Sequence, residues 1–234
     1  MPSEYLADYY REVEPDEVET IAFFVDAIRN AEPGRPVLLF GVGPTLHHVF
    51  LAAPHASELH LADYLAGNLR EIERWLARAP EAHDWRPFVR YTLQCEGIAA
   101  PTDEQVAQRE ELTRSKVTRL LRVDARQPEP VGERYATVIS AYCADSATDD
   151  HATWETFMVH IAGLVRPGGT FITSALRRCR HYLVAGKRFP SANVDEHDLK
   201  AVLAPRFAHA TIEARQVAEH AGQGYEGVVL AWAR

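Results

Sequence analysis

Cysteine is scarce in this chain of 234 residues: Cys95, Cys143 and Cys179 are widely spaced, odd in number and form no CxxC pair. That excludes a disulfide framework and fits free thiols in a reducing cytoplasm. The 11 histidines include the adjacent His47 and His48 but no HExxH or similar ligand spacing, so no metal is expected. No apolar run approaches the ~20 residues a membrane span needs, and Met1-Pro-Ser-Glu4 lacks the charged and apolar regions of a secretory signal. Positive charge is also short. The 25 Lys and Arg face 33 Asp and Glu, a net charge of −8, which argues against nucleic acid as a partner. A cytoplasmic protein is expected, with neither membrane nor nucleic-acid partner, as a monomer or weak homo-oligomer.

What remains is an ordinary globular composition, 47% hydrophobic and 25% charged. The length suits one α/β domain that buries about 70% of its unfolded surface. The organising stretch is Val37-Leu-Leu-Phe-Gly-Val-Gly-Pro-Thr45, in which an apolar run ends in a glycine turn and Pro44 stands where a helix could begin. Gly41 and Gly43 allow a sharp turn and room for a ligand against the main chain. A second apolar run, Glu58–Ala62, ends at Asp63, the spacing a βαβ unit needs to place an acid by ribose hydroxyls. The third glycine of the dinucleotide fingerprint is absent, because Leu46 follows Thr45.

In chain order, residues 3–30 predict one or two helices, with Tyr5, Tyr9 and Tyr10 either packing on the domain or covering a ligand as a lid. After the glycine turn, Leu46, Val49, Phe50 and Ala53 form a helical face, and Leu65 to Ala79 a second helix with Leu65, Leu69, Ile72 and Leu76 on one stripe. Residues 80–87 are expected to be a loop that Phe88–Tyr91 continues. Thr102 is a cap-like start to a polar helix over 101–115. Strands are expected over Val117–Val123, Tyr135–Ala141 and Thr170–Ser174, and a helix over Trp154–Val165 stopped by Arg166-Pro-Gly-Gly169. Past a basic segment at 177–188, Leu199–Leu203 is helical. Phe207–Val217 and Gly227–Trp232 read as a closing antiparallel hairpin.

Three strand ends thus carry ligand-binding groups: the glycine turn, Asp63 and Asp124. In an open parallel sheet such ends share one edge. The acid after the second strand would equally serve a nucleotide-binding oxidoreductase, but a helix ending in Pro-Gly-Gly before the fifth strand suits a methyltransferase better. Gly41-Val-Gly-Pro-Thr45, Asp63-Tyr64…Asn68-Leu-Arg-Glu-Ile-Glu-Arg-Trp75, Glu81-Ala-His-Asp-Trp85 and Arg166-Pro-Gly-Gly169 resemble the nicotinamide, phenylethanolamine and thioether methyltransferase family. So do Tyr5-Leu-Ala-Asp-Tyr-Tyr10 and Gly227-Val-Val-Leu-Ala-Trp-Ala233, and the resemblance spans nearly the whole chain.

It implies a Rossmann-like class I methyltransferase over 1–234, with a seven-stranded mostly parallel sheet, an antiparallel last strand, a helical lid at 1–30 and a core at 37–234. The methyl donor would be S-adenosylmethionine. By the same resemblance Tyr5 and Tyr10 cover the donor, and Gly41, Val42, Gly43 and Thr45 form its turn. His47 stands where the family has an aromatic residue. Asp63 and Asn68 take the ribose, Asp124 and Ala125 the adenine, Ala141 contributes main chain, and Tyr64 is a further cofactor-binding candidate.

The acceptor side departs from the family. Members acting on amines carry a carboxylate just after the fifth strand, where this chain has Ser174-Ala-Leu-Arg177-Arg178. Ser174, Arg177, Arg178, Tyr182 and Ser191 are the candidate acceptor contacts, with Tyr5 shared. The arginines either form a solvated basic face or hold an anionic group of the acceptor. Asp145 and Tyr182 are candidate catalytic residues, and Asp145 could alternatively cap the next helix. Cys143 lacks a paired base and is expected to be a small buried residue. The expected reaction is methyl transfer to a nitrogen of a small molecule. Transfer to oxygen or sulfur, or donor binding without catalysis, are the alternatives.

Overall fold

The apolar runs form strands that are buried on both faces. Arg35–Phe40 (β1) and Ala56–Asp63 (β2) pair in parallel, with Leu39, Leu59 and Leu61 facing one core while Leu38, Phe40 and Ala62 face the other. Continuous hydrophobicity, rather than alternation, marks a strand covered by helices on both sides. Val117–Arg122 (β3) pairs with β2, Tyr135–Ala141 (β4) with β1, and Val165–Arg177 (β5) with β4, all in parallel. Gly227–Ala233 (β9) runs antiparallel between β5 and Ala210–Arg215 (β8). The sheet order is β3-β2-β1-β4-β5-β9-β8, the seven-stranded mostly parallel arrangement that the sequence resemblance implies. The computed structural model describes residues 2–184, 186–217 and 224–234.

One face is covered by Pro2–Tyr9 (α1), Pro15–Ala27 (α2), His47–Ala52 (α3), Ala66–Leu76 (α4) and Arg86–Cys95 (α5), whose Leu6, Phe24, Phe50, Ile72 and Phe88 share one core. Asp103–Lys116 (α6) adds Val106, and a capping box joins Thr102 and Gln105, as its sequence predicts. The opposite face is covered by His151–Ala162 (α7) and Glu196–Leu203 (α8), through Trp154, Met158, Leu199 and Leu203.

Four details differ from the sequence reading. Arg86–Cys95 is a helix, because Pro87 sits in its first turn, where no amide hydrogen is needed, and Phe88, Val89, Thr92 and Leu93 bury one face. Leu65 precedes α4 and is 55% exposed, so it does not belong to the buried stripe. Helix α7 ends at Ala162, and Pro167-Gly-Gly169 forms a bulge within β5: pairing moves from Tyr135–Val165 to Thr137–Thr170. The basic segment folds into a hairpin of its own, His181–Val184 (β6) with Lys187–Pro190 (β7).

Candidate active site

Strand β1 lies between β2 and β4, so the chain leaves the sheet in opposite directions on either side of it. The carboxyl ends there open a crevice. A cleft of about 800 Å³ occupies it. Its floor is the glycine turn. Gly41 (φ +70°) and Gly43 (φ +64°) hold left-handed backbone, and a Cβ on Gly41 would meet Cys143 Sγ at 2.0 Å. A side chain on Gly41 would collide with Cys143, so only glycine lets the turn pass against the loop after β4.

Asp63 ties the turn together. Its Oδ2 accepts from Gly43 N (2.8 Å), and its Oδ1 accepts from Leu65 N (2.8 Å) and Asn68 Nδ2 (2.9 Å). Asn68 thus positions the acid. Burial raises the Asp63 carboxyl against the pull of these donors. A carboxylate has roughly four lone-pair directions, so three donors leave room for a hydroxyl. Thr45 Oγ1 donates to Val42 O (2.7 Å) and closes the turn itself. At the far end, Arg126 chelates Asp124, holding its carboxyl below the usual range, and also donates to Tyr64 Oη (3.0 Å). Ala125 O accepts from His160 Nδ1 (2.8 Å).

The third wall comes from the N-terminal helices. Tyr5 and Tyr10 hydroxyls are 3.1 Å apart, and Tyr10 packs on His47, Trp85 and Phe88. Below them Glu17 lies 2.9 Å from His47 Nε2 and 3.0 Å from His48 Nε2, all three residues being buried. Burial pulls His47 down to about 4, so its imidazole is neutral near pH 7. Burial works to raise Glu17, and the two histidines outweigh it, keeping it an anion. Tyr142, just past β4, has φ +49°, a strained conformation for a side-chain-bearing residue, and its hydroxyl bonds Thr20.

Every donor-side candidate borders this one cleft: Tyr5, Tyr10, Gly41, Val42, Gly43, Thr45, His47, Asp63, Tyr64, Asn68, Asp124, Ala125 and Ala141. Backbone turns, a ribose-side acid and an aromatic cover suit an adenosyl amino acid. The model of the NNMT/PNMT/TEMT family matches residues 1–234. The chain belongs to that family. As a member it is an S-adenosylmethionine-dependent methyltransferase. It is 28% identical over 212 residues to phenylethanolamine N-methyltransferase of Macaca mulatta, covering 86% of this chain and 73% of that one. It is 29% identical over 195 residues to nicotinamide N-methyltransferase of Homo sapiens, covering 82% and 70%. The N-methyltransferase NodS from Bradyrhizobium japonicum WM9, in complex with S-adenosyl-L-homocysteine, shares the fold with a TM-score of 0.60, 14% identity and coverage of 100% and 95%.

On the acceptor side this family member departs from the sequence expectation. Tyr182 borders the cleft, stacks on Phe189 at 5.5 Å and donates to Ser146 O (3.3 Å). Ser174, Ser191, Arg177, Arg178 and Asp145 do not border it. Ser174 and Ser191 are buried, and Ser174 sits inside the β4–β5 pairing. Arg177 pairs with Glu196 (2.8 Å) and Glu226 (3.0 Å); Arg178 lies 3.4 Å from Glu226 and 3.5 Å from Asp195. Acids within the fold therefore already neutralise these two arginines. Asp145 is 1% exposed, and its Oδ2 accepts from Leu176 N (3.0 Å), so it braces the loop after β4 against β5. Cys143 borders the cleft, but burial pushes its thiol to about 12, which leaves no thiolate for nucleophilic work.

Among the cleft residues that escaped the sequence reading are Asp16, Glu17, His48, Arg126 and Tyr142. Asp16 and Glu17 fall in the first turn of α2, where acids ordinarily complement the helix dipole in solvent, so nothing local marks them as buried.

Proposed function

We propose that this chain transfers a methyl group from S-adenosylmethionine to a nitrogen of a small-molecule acceptor. The observation that carries it is the shared cleft of about 800 Å³, in which the glycine turn, Asp63 and the tyrosine cover converge beside acidic and aromatic side chains. The donor supplies an electrophilic sulfonium methyl. Gly41, Val42 and Gly43 with Ala141 would hold its amino-acid part, with Thr45 and His47 alongside. Asp63, Tyr64 and Asn68 would hold the ribose, and Asp124 with Ala125 the adenine. Family membership and the placement of these residues around one cleft support this assignment. Tyr5 and Tyr10, on a helix preceding the sheet, would close over the donor and keep water from the methyl.

The remaining work is alignment. An acceptor nitrogen brought in line with the methyl carbon uses its lone pair directly, so the walls need only fix direction and exclude water. Tyr182, on the cleft wall, would orient the acceptor. Free cysteines support a cytoplasmic setting, in which one 1–234 domain works as a monomer or weak homo-oligomer. Among the described residues no helix is long and apolar enough to cross a membrane. The test is incubation with methyl-labelled donor and matched panels of small amines, phenols and thiols, followed by product mass. Label on an amine is the expected result; label confined to phenols or thiols overturns the nitrogen assignment.

A further inference from the structure

Helix α2 opens Pro15-Asp-Glu-Val, and both acids are buried, Asp16 to 3% and Glu17 to 2% exposure. Carboxylates are seldom buried unless a partner compensates. Glu17 has His47 and His48. Asp16 Oδ1 is buried with no hydrogen-bond partner, although the residue borders the cleft. The other cleft acids are provided for, Asp63 by three N–H donors and Asp124 by Arg126. Among the described residues that border the cleft, Arg126 is the one Lys or Arg, and it is committed to Asp124 on the adenine side. No Lys or Arg therefore faces Asp16 across the cleft, and its carboxyl is supported only by backbone N–H groups at the start of α2.

The walls beside Asp16 are aromatic. Burial raises the phenols of Tyr5, Tyr9 and Tyr142, and each lies close enough to Asp16 for its charge to add to that, so they remain neutral. Faces of tyrosine rings around a carboxylate form a receptor for an organic cation. We propose that Asp16 is the counter-ion for a protonated amine on the methyl acceptor, with Glu17 reinforcing the negative potential behind it. This rests on the nitrogen-acceptor reading and names the group that selects the substrate. Burial pushes the Asp16 carboxyl up to about 7, the direction of a carboxylate that lacks its cation. The pair also provides for the proton. One ammonium N–H bond breaks, an O–H bond forms at Asp16, and the electron pair stays on nitrogen, free to bond the methyl carbon as the carbon–sulfur bond breaks toward sulfur.

The test is calorimetric titration of protein saturated with S-adenosylhomocysteine, near pH 7.5, using 2-phenylethylamine, benzylamine and cyclohexylamine against the corresponding alcohols. Wild type should bind at least one amine roughly tenfold or more tighter than its alcohol. Asp16→Asn should reduce that preference to about threefold or less and leave the affinity for S-adenosylhomocysteine within about threefold. An amine preference that survives in Asp16→Asn overturns the proposal, as does a wild type with none. Should Asp16→Asn fail to bind S-adenosylhomocysteine, and so prove misfolded, Asp16→Ser carries the same comparison, and the wild-type preference is still read. Amine selectivity through Asp16 without label on any amine sustains this site and sinks the nitrogen-transfer reading. Labelled amine made equally well by both proteins does the reverse.

Discussion

At the residue scale the cleft is built by side chains that do two tasks at once. Asp63 fixes Gly43, Leu65 and Asn68 and still faces the cleft, so replacing it by alanine would collapse the turn along with any ligand contact. Asp63→Asn keeps the size and part of the accepting capacity but removes the charge. It should weaken S-adenosylhomocysteine by roughly 1.5–3 kcal/mol, the worth of hydrogen bonds to a charged acceptor, with secondary structure unchanged. An unaltered dissociation constant in calorimetry would remove Asp63 from the donor site. Arg177 makes the opposite case. Its guanidinium is half-buried against Glu196 and Glu226, and those acids form its environment, not the cleft. Arg177→Ala should cost about 1–2 kcal/mol in urea unfolding, as a partly buried pair is broken. It should not change the ranking of acidic against neutral acceptors. A selective loss of acidic acceptors would return this arginine to the acceptor site.

At the element scale the strand ends were legible and the N-terminal wall was not. Strands β1, β2 and β4 announce themselves because burial on both faces makes their central residues mostly apolar, and their terminal groups follow by counting. Asp16 and Glu17 reach the cleft only because α2 packs over α3 and β5, a juxtaposition made by tertiary contacts distant in sequence. Helix α5 escaped because its proline and flanking polar residues imitate a loop, and the β6–β7 hairpin because a basic strand pair lacks an apolar alternation. The same wall yields a dynamic prediction. Helix α1 is a short element of eight residues whose buried members, Leu6 and Tyr9, pack beside the cleft, and Tyr10 follows directly. An element with so few core residues opens at little cost, and donor product beneath Tyr5 and Tyr10 would hold it shut. Amide exchange over residues 2–14 should slow on adding S-adenosylhomocysteine while β1 and β4 stay unchanged. Equal exchange in both states would show that α1 is a fixed wall.

At the scale of the whole molecule, charge buried in the fold sets how stability responds to pH. Asp145 is the cleanest probe, since its side chain braces β5 and does not border the cleft. Burial is the largest influence on its carboxyl and raises it to about 7, outweighing the backbone N–H groups that pull it down. In the unfolded chain an aspartate titrates near roughly 4. Below that value both states are protonated and the group contributes nothing to the pH response. Between about 4 and 7 the unfolded chain releases the proton and the fold retains it, so rising pH destabilises the protein until the folded group ionises too. His47 works in the other direction: held down to about 4, it costs stability as pH falls below the ordinary histidine range. Subtracting a variant from wild type at each pH cancels His47 and isolates the aspartate. Asp145→Asn keeps an oxygen for Leu176 N and cannot ionise. Its stability relative to wild type should rise from pH 4 to 7 and level off above, by about 2–4 kcal/mol in all. Urea midpoints at intervals from pH 4 to 8.5 measure it. A difference that stays flat across that range would mean Asp145 is already ionised in the fold, with solvent reaching the β4–β5 brace.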